Sequence, residues 1–173
     1  MKNQTLERKK MENENRPLWA PWRIEFIRSK KTPGCFLCGK KENFDSIEEE
    51  LIVARLEHCF VILNRYPYNA GHLLIAPYEH CGDLSLLSAD ARHEIIDTCA
   101  RAKDVLKDLM HPDGFNVGFN FGVAAGAGVA DHLHMHIVPR WVGDNNFMPV
   151  VGDIRCVPEA LVNTAKLVRD AWK

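Results

Sequence analysis

Five short apolar runs and two stretches of helical periodicity give the chain its order. Residues 51–54 and 59–63 are apolar and flank a polar turn, as the arms of a hairpin do, and residues 72–76 form a third such run. Behind Ser88, a good N-cap residue, the apolar residues Ile95, Ile96, Cys99, Ala102, Leu106, Leu109 and Met110 recur at helical spacing until His111-Pro-Asp-Gly114 stops them. Residues 115–121 and 133–138 add two more strands around a loop of small residues, 122–128, and residues 158–172 read as a terminal helix opened by proline. The pattern predicts an α+β fold with a single antiparallel sheet and two main helices. No internal repeat or low-complexity tract breaks it.

The remaining segments are read from composition. Residues 1–16 are almost entirely polar and charged, too poor in apolar surface to offset their ordering entropy, so a disordered extension is expected there and one domain over residues 17–173. Residues 17–27, rich in aromatics such as Trp19 and Trp22 but interrupted by proline, suit a strap better than a helix, and residues 32–34 suit a turn. With 22 Lys+Arg against 23 Asp+Glu the net charge is -1, so no nucleic-acid partner is expected. No window approaches the roughly 18 consecutive apolar residues of a membrane span. The first residues also lack the apolar centre of a signal peptide, and these two absences predict a cytoplasmic protein without a membrane partner. A reducing compartment keeps the six cysteines as thiols. Cys59, Cys81, Cys99 and Cys156 read as small buried hydrophobes, and Cys35 with Cys38 alone has a suggestive spacing.

Asp131-His-Leu-His-Met-His-Ile-Val-Pro139 alternates histidine with apolar residues. The two-residue period of a strand puts His132, His134 and His136 on one face and turns Leu133, Met135 and Ile137 to the core. Such a face can hold a transition metal, since imidazole is the commonest metal ligand, or it can do chemistry. The sequence here resembles the histidine triad family, whose signature is three histidines alternating with apolar residues near the chain's end. Asn64-Arg-Tyr-Pro-Tyr-Asn-Ala-Gly-His-Leu-Leu-Ile-Ala-Pro77 is similar to the family's other characteristic segment, in which a polar residue precedes a strand-opening histidine, here His72. The resemblance covers roughly residues 17–150. Pro139-Arg-Trp-Val-Gly-Asp-Asn-Asn-Phe-Met-Pro149 looks most like the branch of dinucleoside polyphosphate phosphorylases and hydrolases.

That resemblance implies roles. His134 would be the nucleophile on the α-phosphorus of an adenine nucleotide or dinucleoside polyphosphate, forming a nucleotidyl-histidine, with its other ring nitrogen held by an acceptor such as a backbone carbonyl. His136 would touch the phosphate or leaving group and His72 would support the site. Asn64 corresponds to a ribose contact and Asn120 to a phosphate contact, although Asn64 can also simply open a turn and Asn120 close a strand. Gly126 and Gly128 in the small-residue loop could present unobstructed N–H groups to a phosphate. Cys35, Cys38, His80 and His132 would hold a structural zinc, the alternative being a metal-free thiol pair in a turn. The resemblance also implies a homodimer. The expected function is cleavage of dinucleoside polyphosphates by transfer to water or phosphate; a nucleoside phosphoramidase and a nucleotide sensor without turnover are the competing readings.

Overall fold

The computed structural model describes residues 35–38, 50–144 and 159–172, all within one of the two compact units into which the chain divides. The expectations for residues 1–34, for Cys156 and Pro158, and for the end of the Pro139–Pro149 segment lie outside the described residues. Five strands form one antiparallel sheet: β1 (Ile52–Arg55), β2 (Cys59–Leu63), β3 (Leu73–Pro77), β4 (Gly114–Phe119) and β5 (Met135–Arg140). Their order is β1-β2-β3-β5-β4, so β5 inserts between β3 and β4 and carries His136 to the sheet interior. β2 and β3 are buried at every position, which explains why they read as continuous apolar runs rather than alternating ones.

Among the described residues, the helices packed on this sheet are α1 (Ala89–Met110) and α2 (Leu161–Ala171). Ser88 caps α1, its hydroxyl accepting from the Ala91 N–H at 3.1 Å. Pro112 disfavours a helical conformation for the residue before it, and His111 turns left-handed at φ 49° to end α1. Ala91, Ile95, Thr98, Cys99, Ala102 and Leu106 form the buried face of α1. Each fully buried leucine or isoleucine of this face contributes roughly 1.5–3 kcal/mol relative to exposure. Ile96 and Leu109, which fit the same periodic list, are exposed, because the true stripe is narrower than the list of apolar residues. α2 packs on β1 and α1. Arg169 fixes it by donating to the carbonyls of Ile52 at 2.7 Å and Glu50 at 2.6 Å.

Strand ends differ from the sequence expectation by one or two residues. Gly114 starts β4 opposite Arg140 instead of stopping the helix. β5 begins at Met135, two residues late, because the Leu133 N–H is taken at 2.7 Å by the Cys81 carbonyl of the loop after β3. Cys59 and Cys99 are buried as expected, whereas Cys81, on that loop, is only half-buried.

Candidate active site

The late start of β5 separates the three alternating histidines into two groups. His134 and His136 join His72 in one cluster, and His132 turns to a second cluster of sulfur and nitrogen atoms. His134 is buried, and its Nδ1 lies 2.9 Å from the carbonyl oxygen of His132. A carbonyl only accepts, so Nδ1 carries the proton and Nε2 keeps its lone pair. Burial pushes the imidazole below its ordinary pKa, with the His132 carbonyl pulling the other way, so the neutral ring prevails at neutral pH.

His72 is fully buried, placed by the turn that Gly71 makes at φ +72° just before β3. The turn also needs glycine for space, since a Cβ at Gly71 would stand 2.7 Å from the Met110 sulfur. The Tyr68 N–H donates to His72 Nδ1 at 3.0 Å. Asn64 Nδ2 is 3.3 Å from the same nitrogen, while its Oδ1 accepts from the Tyr66 N–H at 2.9 Å. Nδ1 of His72 is therefore an acceptor and Nε2 holds the proton, which it donates to His136 Nδ1 at 3.0 Å. In neutral His136 the proton then sits on Nε2, 3.5 Å from the Asn120 amide. The Tyr68 ring stacks beside both histidines, its centroid 4.7 Å from that of His72 and 5.9 Å from that of His136. Asn64 thus makes the turn and faces the cluster, and Asn120 follows the end of β4 while facing His136.

Tyr68 and Asn69 were not singled out by the sequence reading; the aromatic flanked by proline and asparagine was the available signal. Asn69 donates to the Pro139 carbonyl at 3.1 Å and to Asp144 at 2.7 Å. Asp144 also receives Arg140 Nε at 2.6 Å and Nη2 at 2.9 Å, which holds its carboxyl well below the usual carboxylate range. This network anchors the turn that carries the Tyr68 N–H. The loop before the triad closes on itself through the Gly126 N–H and the Val123 carbonyl at 2.9 Å, with Gly126 left-handed at φ 87°. Gly126 accordingly offers a turn without a Cβ, and its N–H already has an acceptor.

In the second cluster, His132 Nε2 donates to the Pro77 carbonyl at 2.9 Å, which leaves Nδ1 as a lone pair directed to Cys35 Sγ at 3.3 Å, Cys38 Sγ at 3.5 Å and His80 Nδ1 at 3.3 Å. Cys38 Sγ and His80 Nδ1 are 3.1 Å apart, and all four donor atoms lie within 4.8 Å of one another. Tetrahedral zinc bonds of about 2.05 Å to nitrogen and 2.3 Å to sulfur would set neighbouring donors roughly 3.3–3.8 Å apart. The donor set therefore fits zinc in chemistry and in size. No helix among the described residues is long and apolar enough to cross a membrane.

The sequence matches the HIT domain family over residues 46–142. It is 37% identical to the AP-4-A phosphorylase of Mycobacterium tuberculosis over 90% of this chain and 83% of that protein. It is 29% identical to the asymmetrical bis(5′-nucleosyl)-tetraphosphatase of Schizosaccharomyces pombe over 52% of this chain and 48% of that one. Among solved structures, a zinc-bound histidine triad family protein from Mycobacterium smegmatis superposes with a TM-score of 0.58 at 27% identity, covering 70% of this chain and 83% of its own.

Proposed function

The chain belongs to the histidine triad family, and from that premise we propose that it cleaves dinucleoside polyphosphates at an α-phosphate through a nucleotidyl-histidine on His134. The observation that carries this reading is the His134 ring itself: buried, neutral and with Nδ1 tied to the His132 carbonyl, it presents an Nε2 lone pair to an incoming phosphorus. Nε2 forms the N–P bond while the bond from phosphorus to the leaving polyphosphate oxygen breaks. That oxygen leaves as an anion and accepts a hydrogen bond from His136 Nε2–H, the proton that the relay from Tyr68 through His72 holds there. In the second half, water or inorganic phosphate attacks phosphorus, the N–P bond breaks, His134 Nε2 regains its lone pair, and the attacking group's proton is released to solvent. Asn64 holds the ribose, and Asn120 with Gly128 and the bare turn at Gly126 holds phosphate oxygens.

The M. smegmatis relative's zinc supports a structural zinc on Cys35, Cys38, His80 and His132, where the metal would cross-link the 35–38 segment to the histidine strand. The family resemblance supports a homodimer, and β4, an edge strand with Val117 exposed, is a surface that a second copy can cover. The test of function is product analysis with diadenosine tetraphosphate. ATP and AMP mean hydrolysis, ATP and ADP in the presence of phosphate mean phosphorolysis, and no cleavage in either condition contradicts the reading.

A further inference from the structure

Asn69 commits its side chain to holding the turn before β3 against the strand that carries His136. The β3–β5 ladder ends where Leu73 faces Ile137, short of the turn that carries the Tyr68 N–H. Asn69 continues the connection by other means. Its carbonyl takes the His72 N–H at 3.2 Å, which closes the turn, and its Nδ2 donates to the Pro139 carbonyl of β5 at 3.1 Å and to Asp144 Oδ2 at 2.7 Å. A carbonyl and a carboxylate only accept, so the amide cannot flip without setting its own oxygen against two others. Asp144 is fixed in turn by Arg140 Nε at 2.6 Å and Nη2 at 2.9 Å and by the Trp141 N–H at 3.3 Å.

What the turn holds is a choice between two proton arrangements. His72 Nε2 and His136 Nδ1 stand 3.0 Å apart, and in the neutral pair one proton lies between them. If it belongs to His72, His136 carries its own proton on Nε2 and donates to the leaving oxygen. If it belongs to His136, Nε2 turns a lone pair on that anion instead. Asn64 does not decide between the two, because its Nδ2 is 3.3 Å from His72 Nδ1 and 3.5 Å from His72 Nε2. The Tyr68 N–H does decide, since it lies 3.0 Å from Nδ1 and a backbone N–H can only donate. Hydrogen bonds weaken steeply with misalignment, so this donor selects the arrangement only while its turn is held in place.

We propose that Asn69, braced by Asp144, is a positioning residue for the reaction: it aims the Tyr68 N–H at His72 Nδ1 and so keeps a proton on the outward nitrogen of His136. This role rests on the function proposed above, but the proton arrangement can be read without turnover. Two-bond 1H–15N spectra of histidine-labelled protein at about pH 8, above the reference imidazole pKa, distinguish the neutral tautomers, with His72→Phe and His136→Phe assigning the signals. Wild type should show both rings protonated at Nε2. In Asn69→Ala both should move toward the Nδ1-protonated form, and kcat on diadenosine tetraphosphate should fall roughly tenfold to 10²-fold with KM changing far less. Asp144→Ala leaves the Asn69 contact to Pro139 in place, so it should move both signals and kcat the same way by less. The same readouts on Asp144→Ala decide the matter if Asn69→Ala does not fold. His72 protonated at Nδ1 in wild type, a folded Asn69→Ala whose tautomers match wild type whatever its kcat, or shifted tautomers with kcat intact would each overturn the inference. Wild type with the expected tautomers but no cleavage of the dinucleotide would instead contradict the proposed function, with the proton arrangement left standing.

Discussion

His72 determines what His136 can donate. Its Nδ1 already accepts the Tyr68 N–H, so its remaining proton must go to His136 Nδ1, which pushes the His136 proton outward onto Nε2. Replacing His72 with phenylalanine removes that constraint while keeping the aromatic bulk. We expect kcat to fall by about 10²-fold or more, the size of a lost hydrogen bond to the developing charge, with KM changing far less. Equal kcat in variant and wild type would show that the relay is idle. The spacing of the triad made His134 and His136 legible, because strict alternation has few other uses. Which proton each ring carries was not legible, since it depends on a backbone N–H from a turn and on a carbonyl two residues back. Nor was the departure of His132 from its neighbours, which follows from one hydrogen bond between Leu133 and Cys81.

Among elements, α1 does more than cover the sheet. Glu94, on its half-buried flank, accepts the backbone N–H groups of Glu57 at 3.1 Å, His58 at 2.7 Å and Cys59 at 2.9 Å, and so holds the turn between β1 and β2. Burial raises its pKa, but the N–H donors outweigh it and the net shift is downward. A carboxyl whose folded pKa is depressed stabilises fully above its unfolded value, and that stability is lost as pH falls through the folded one. Glu94→Gln should therefore cost about 1–2 kcal/mol at pH 7. Melting curves of wild type and variant should converge below about pH 4, near and under the reference carboxylate value. A gap that persists unchanged at pH 3 would refute the charge as its source. The same carboxylate, after burial, helps push the Cys59 thiol up to about 12, which makes that cysteine inert as well as buried. A second element-scale expectation concerns Gly71, whose replacement by alanine must displace Met110 and strain a positive φ. It should lower stability and, by moving His72, also lower kcat. The elements themselves were readable from apolar spacing, with helix α1 starting at its Ser88 cap as expected. Exposed Ile96 and Leu109 were not distinguishable from the core positions, because periodicity gives a stripe's direction but not its width.

At the scale of the whole molecule, the two histidine groups assign different work to one short segment, β5 and the residues just before it. The Cys35–Cys38 segment is tied to His132 across nearly a hundred residues of chain, and Leu37 between the two cysteines is fully buried. If zinc closes that site, Cys35→Ser should lower the melting temperature well before it lowers turnover by the remaining folded protein. Elemental analysis should also give one zinc per chain, and metal-free protein of unchanged stability would remove the metal from the account. The strand order that makes this division was beyond the sequence, since the placement of β5 between β3 and β4 depends on long-range pairing that no local pattern encodes. The central claim is that His134 becomes covalently nucleotidylated, and trapping that species tests it most directly. Protein mixed with diadenosine tetraphosphate should be quenched within the first turnovers in alkali, where a phosphoramidate survives, and digested for mass spectrometry. The account predicts that the peptide containing His134 gains the mass of AMP less water, and that His134→Ala gains nothing and loses turnover by about 10²-fold or more. An adduct on another residue, or rapid cleavage by wild type with no adduct at all, would contradict it.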